Sequence, residues 1–104
     1  MRIELLYFEG CPALRDAENH LRDALAEEGV EADVELVEVN SDEEARRLCF
    51  AGSPTLRING RDPFSLPDGG EGAFACRFYA TPEGAKRAPT AAMIRRNLLA
   101  HAFC

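Results

Sequence analysis

Glu9-Gly10-Cys11-Pro12 joins two stretches of opposite periodicity, and that junction limits what the chain can fold into. Before it, Met1–Phe8 carries Ile3, Leu5, Leu6, Tyr7 and Phe8, an apolar run. Such a run fits a central strand buried on both faces, as in a parallel sheet. Glu9-Gly10 breaks the strand. After it, Leu14, Ala17, Leu21, Ala24 and Leu25 repeat at helical spacing and stop near Gly29. Pro12 suits the first helical turn, where the N–H it lacks has no intrahelical acceptor. Cys11 therefore falls at or just before a helix N-terminus, where unpaired N–H groups and the helix dipole favour a thiolate. A small capping residue with an ordinary thiol explains the same pattern, so the junction alone leaves both readings open.

The rest of the chain continues the alternation of strands and helices. Glu31–Val39 reads as an edge strand, with Val34, Leu36, Val37 and Val39 partly alternating with Asp33, Glu35 and Glu38. A strand–helix–strand unit of this length favours a parallel crossover. Ser41-Asp42-Glu43-Glu44 has the form of a capping box and predicts a helix to about Phe50 that buries Ala45 and Leu48. Its acidic run is a helix start favoured by the dipole rather than a metal site. Gly52-Ser53-Pro54 leads into a strand over Thr55–Asn59, and Asn59-Gly60 marks a turn. Arg61–Gly72 is a long irregular loop that Phe64 and Leu66 are placed to pin. It is read as a connector, because no lysine or helix start follows its glycines at phosphate-loop spacing. Ala73–Ala80 is expected as the last strand, with Phe74, Cys76 and Phe78 on one face and Arg77 and Tyr79 on the other. Thr81-Pro82-Glu83-Gly84 reads as a turn. Thr90 then caps a final helix with Ile94, Leu98 and Ala102 inward and Arg95 and Arg96 outward.

The 104 residues bound a single domain, 1–104, and 46% apolar content is enough for a modest core. A net charge of -6 argues against nucleic acid as a partner. No stretch is long enough to span a membrane, and Met1-Arg2 leads straight into the first strand without a signal peptide, so the cytoplasm is the expected compartment. Cys11, Cys49, Cys76 and Cys104 are widely and irregularly spaced, and in a cytoplasmic chain reduced thiols are the default. No Cys-x-x-Cys pair supports a structural zinc site. Cys49 is read as a small core residue. Cys76 is read first as core packing and second as a resolving thiol or metal ligand. Cys104 ends the chain. His20 and His101 read as helix-surface residues, the latter near a helix C-terminus that favours positive charge.

Two motifs carry a resemblance. Gly10-Cys11-Pro12-Ala13-Leu14 stands in the place of a redox motif, and Gly52-Ser53-Pro54-Thr55-Leu56 in the place of a cis-proline loop. Through them the chain resembles the thioredoxin/glutaredoxin superfamily along almost its whole length. It looks closest to small bacterial thioredoxin-like proteins, some of which carry alkylmercury-lyase-like labels. The resemblance implies an α/β fold of order βαβαββα: a four-stranded mixed sheet, strand order 2-1-3-4, with three helices. It implies a cis bond before Pro54 and a site made of Cys11, Pro12, Ser53 and Pro54. In that site the Ser53 backbone would sit beside Cys11 and pair with an extended substrate. The departure is Leu14, which stands where a dithiol protein has its second cysteine.

Three functions follow as expectations. The first is monothiol thiol–disulfide exchange at Cys11 on a protein or small-thiol disulfide, with no cofactor and with Cys76 as the candidate second thiol. The second is a non-catalytic binding module that uses the edge strand and the Pro54 loop. The third is soft-metal binding of mercury type, with Cys11 and Cys76 as candidate ligands. A monomer or weak dimer is expected in each case.

Overall fold

The computed structural model describes residues 1–50, 52–64 and 77–102. In chain order the elements are β1 (Arg2–Tyr7), α1 (Leu14–Glu28), β2 (Asp33–Glu38), α2 (Asp42–Arg47), β3 (Thr55–Ile58), β4 (Tyr79–Thr81), β5 (Gly84–Lys86) and α3 (Ala91–Ala102). The described residues form a small mixed α/β structure with three helices and a mixed sheet. That sheet has three strands in the order β2-β1-β3, with β2 parallel and β3 antiparallel to β1.

The central strand is covered on both faces, as its apolar run predicts. Ile3 and Leu5 join Leu56 and Ile58, their register partners on β3, in a cluster with Ala17, Leu21 and Ala24 of α1 and Ile94 and Leu98 of α3. Leu6 points the other way and packs with Val39, Ala45 and Phe50. Helices α1 and α3 thus cover one face and α2 the other. Arg95 of α3 ties the first pair at its rim: its Nε donates to Glu28 at 2.8 Å and its Nη1 lies 2.9 Å from Glu27. The hydrogen bond to Glu28 and the charge of Glu27 raise its pKa.

Local signals set most element ends. Ser41 Oγ accepts from Glu44 N at 3.1 Å and starts α2. Thr90 Oγ1 accepts from Met93 N at 3.2 Å and starts α3. Asn59 and Gly60 both have positive φ, 51° and 83°, which a type I′ turn requires, and Ile58 and Arg61 close it with a bridge. Gly29 ends α1 in a left-handed conformation, φ 62°, with its N–H and that of Val30 returning to Ala26 and Leu25.

Three expectations are corrected. The described strands do not make one four-stranded sheet of order 2-1-3-4. Tyr79–Thr81 instead folds back on Gly84–Lys86 as a separate two-stranded hairpin. Its turn is local: Thr81 Oγ1 donates to Gly84 O at 2.6 Å and accepts from Glu83 N at 3.2 Å. Residues 73–76 of the expected last strand, Cys76 among them, lie outside the described residues. Second, the buried face of that segment is the one that carries Arg77 and Tyr79, while Phe78 is 62% exposed. Third, Cys49 is not a core residue. Helix α2 ends at Arg47, and Cys49 is exposed with φ 53°. Cys49 N–H returns to Arg46 O and Phe50 N–H to Ala45 O, a Schellman ending that puts position 49 in the left-handed region and turns Phe50 inward instead. Arg57 Nη2 then bonds the freed carbonyls of Leu48 and Cys49. Leu36 of β2 is 47% exposed, in keeping with the wet face of an edge strand.

Candidate functional site: the Cys11 turn and the Pro54 loop

Two successive turns carry the chain from β1 into α1, and Cys11 belongs to both. Cys11 N–H donates to Phe8 O at 3.2 Å across Glu9-Gly10, with Gly10 at φ 82° in the position that needs positive φ. Leu14 N–H then donates to Cys11 O at 3.4 Å across Pro12-Ala13, where the proline ring presets its own φ. Helix α1 begins only at Leu14, with Ala13 as an N-cap that has no side-chain hydrogen bond. Cys11 is therefore three residues ahead of the first helical residue. Its thiol is free and partly exposed, Pro12 is exposed, and Leu14, in the second-cysteine position, is half-buried.

The Pro54 loop is docked on this turn. Phe8 N–H donates to Ser53 Oγ at 3.3 Å, so the exit of β1 and the start of β3 are joined beside Cys11. The Ser53–Pro54 bond is cis. Ser53 and Thr55 are buried, and the Pro54 side chain is fully enclosed. Phe8 thus links the two motifs: its carbonyl accepts from Cys11 N–H and its N–H donates to Ser53 Oγ. One detail narrows the expected backbone pairing with substrate: Ser53 O already accepts from Arg77 N at 3.0 Å.

Beneath the loop lies a buried polar hub. Arg77, 8% exposed, forms a two-pronged pair with Asp62: Nη1 to Oδ2 and Nη2 to Oδ1. Arg77 Nη1 also donates to Thr55 Oγ1 at 3.4 Å. Thr55 Oγ1 in turn donates to Gly52 O. The Arg77 guanidinium sits 4.4 Å from the centre of the Tyr79 ring, a cation–π distance. Phe64 meets the same ring edge-on at 5.5 Å. Tyr79 donates its hydroxyl hydrogen bond to Pro54 O. Burial raises the Tyr79 pKa most; Arg77 opposes the shift, and the negative charges of Asp62 and Cys11 add to it. Among the described residues no buried side-chain nitrogen or oxygen lacks a partner.

The hub escapes sequence reading. Arg77 and Tyr79 share a strand face, but the sequence does not show what that face meets. Only Asp62, fifteen residues earlier, makes that face buriable. The sequence signal is the alternation itself, with Phe78 between two polar residues.

The remaining candidates are placed or left outside. Cys76 and Cys104 lie outside the described residues, and so does any Cys11–Cys76 pairing. Cys11 and Cys49 are both free, so neither is joined to the other. Among the described residues no three His, Cys, Asp or Glu side chains gather as a metal site. Half-buried His20 donates its Nδ1–H to Pro89 O at 2.9 Å, linking α1 to the lead-in of α3. A cleft of about 230 Å³ opens there, lined by Asp16 and His20 of α1, Glu83, Lys86 and Arg87 of the hairpin, and Thr90. Its acidic and basic side chains balance. Among the described residues no helix is long and apolar enough to cross a membrane. Compared with known proteins, the chain matches no family model, no curated protein and no solved structure.

Proposed function

We propose that the chain is a thioredoxin-like thiol protein in which Cys11 carries out thiol–disulfide exchange. The observation that supports this reading is the docking of the Cys11 turn on the Ser53–Pro54 loop through Phe8 N–H and Ser53 Oγ. It joins the turn that carries a free, partly exposed thiol to a buried loop. The Cys11 thiolate attacks one sulfur of a protein or small-molecule disulfide. A Cys11 mixed disulfide forms, and the other sulfur leaves as a thiolate that takes up a proton. Leu14 offers no resolving thiol, so a second thiol of the small-molecule class attacks the mixed disulfide and returns Cys11 to the reduced state. The cycle needs no cofactor. Residues Pro12, Ser53 and Pro54 shape the approach. The proposed setting is a cytoplasmic protein of bacterial type, acting as a monomer or weak dimer.

The test is exchange with bis(2-hydroxyethyl) disulfide, followed by intact mass. The unaltered protein is expected to gain one mixed-disulfide adduct, mapped to Cys11, with turnover when a small thiol is added. Cys11→Ser is expected to abolish turnover and Cys49→Ser to leave it unchanged. Full turnover in Cys11→Ser contradicts the reading.

A binding module without chemistry is the second reading. It is favoured by the start of α1 at Leu14, which places Cys11 outside the first helical turn, where the dipole is strongest. An unreactive Cys11 in the same experiment selects it.

A further inference from the structure

Strand β2 is an edge of its sheet, and its outer backbone is open among the described residues. Asp33 N–H at the start of the strand and Val39 N–H just past its end donate to Met1 O and Tyr7 O. The odd-numbered residues of β2 therefore turn their backbone groups toward β1. Those of Val34, Leu36 and Glu38 point away from the sheet. The side chains are sorted as well. Val34 and Leu36 stand opposite Ile3 and Leu5 and share their face, and Leu36 is 47% exposed. Asp33 and Glu35 stand on the other face, and both are exposed. The strand lies in a stretch, residues 31–44, that carries seven acidic side chains and no basic one. Among the described residues the one ion pair of β2 is Glu35 with Arg2 at 3.7 Å, between two exposed groups.

We propose that the outer edge of β2 pairs with an extended basic segment of another protein, in which lysine or arginine alternates with an apolar residue. The guest strand bonds the outward N–H and C=O groups of Val34, Leu36 and Glu38, and its alternate side chains reach the two faces of the sheet. Its apolar residues cover Leu36, and its cations meet Asp33 and Glu35. Charge selects this occupant. Acidic side chains on an edge guard it against indiscriminate pairing. A second copy of this chain is excluded on the same ground: β2 paired with its own copy sets carboxylates side by side, and like charges across strands destabilise the pair. A basic strand turns the same charges into attraction. The inference is independent of the chemistry of Cys11, so either can fail without the other.

The test is a fluorescence-anisotropy titration at low ionic strength. The probe is a dye-labelled heptapeptide of alternating lysine and valine, with lysine at both ends. The unaltered protein is expected to bind it saturably and to leave unbound a peptide with glutamate in place of lysine. Leu36→Pro removes an outward N–H that β1 does not use, a position where an edge strand accepts proline. It is expected to weaken binding by about tenfold, the joint effect of one net hydrogen bond and a lost apolar contact. Attraction by charge alone instead leaves Leu36→Pro with the affinity of the unaltered protein. That result overturns the inference, as does equal binding of the glutamate peptide or no saturable binding of the lysine peptide. Folding of the variant is checked by circular dichroism. If Leu36→Pro unfolds, two N-methylated probes decide on the unaltered protein, one methylated on its valines and one on its lysines. A guest strand presents only one of these sets to β2. Loss of binding in either supports the inference, and full affinity in both overturns it. Sedimentation of the protein alone covers the other occupant: a dimer that Leu36→Asp separates assigns the edge to a second copy and overturns the inference.

Discussion

Cys11 and Cys49 are both free thiols at helix ends, yet the chain treats them differently. Cys11 precedes α1 in two local turns, and its neighbour Phe8 bonds Ser53 of a loop that Arg77 and Tyr79 hold from far along the sequence. Cys49 follows α2 and is held by its own neighbourhood: Arg46 and Ala45 close the turn, and Arg57 from the next strand bonds the carbonyl at position 49. The difference separates two uses of a small residue. Cys49 occupies a left-handed position that glycine fills at the equivalent end of α1. Its side chain is turned to solvent because the backbone must turn there. Cys11 sits where two local turns meet, and the first of them is joined through Phe8 N–H to Ser53, forty-five residues further along the chain than Phe8.

The comparison can be broken on either side. The larger effect is expected at the hub. Tyr79→Phe leaves the Pro54 carbonyl without its hydroxyl donor and is expected to cost about 1–3 kcal/mol in urea unfolding at neutral pH. The same variant carries a pH signature. Burial raises the Tyr79 pKa above its ordinary value, so the folded state keeps the phenolic proton that the unfolded state loses. The folded state then binds more protons than the unfolded one above about pH 10, and stability falls as pH rises through that region. Tyr79→Phe is expected to remove this component of the decline. An identical alkaline decline in both proteins contradicts the burial of Tyr79. The smaller effect is expected at the other cysteine. Cys49→Gly relieves a left-handed non-glycine residue and is expected to stabilise by about 0.5–1 kcal/mol after the added freedom of the unfolded chain is discounted. A loss of stability there contradicts the local account of Cys49.

The same division explains what the sequence discloses. Ser41, Thr90, Gly29 and Asn59-Gly60 act on residues three or four positions away, so their roles are legible without the fold. The apolar run in β1 and the stripe on α1 are legible for a related reason: period and burial are tied along one element. Cys49 misleads because its composition suggests burial, whereas a Schellman ending exposes it and buries Phe50 instead. The β4–β5 hairpin is hidden because its turn residues read equally well as a connector between a strand and the final helix. Arg77 and Tyr79 are hidden most deeply. Their burial depends on Asp62 and Pro54, partners that only the folded chain brings within reach. The turn at Cys11 and the cis bond before Pro54 are within reach of the two motifs, while the hub beneath the loop is not.

The most direct test is the pH dependence of alkylation at Cys11 and Cys49 in the reduced, unaltered protein, read by mass spectrometry for each residue. The account predicts that Cys11 reacts several-fold faster than Cys49 near neutral pH, as a thiol that carries out exchange must. Equal rates across the whole range contradict it.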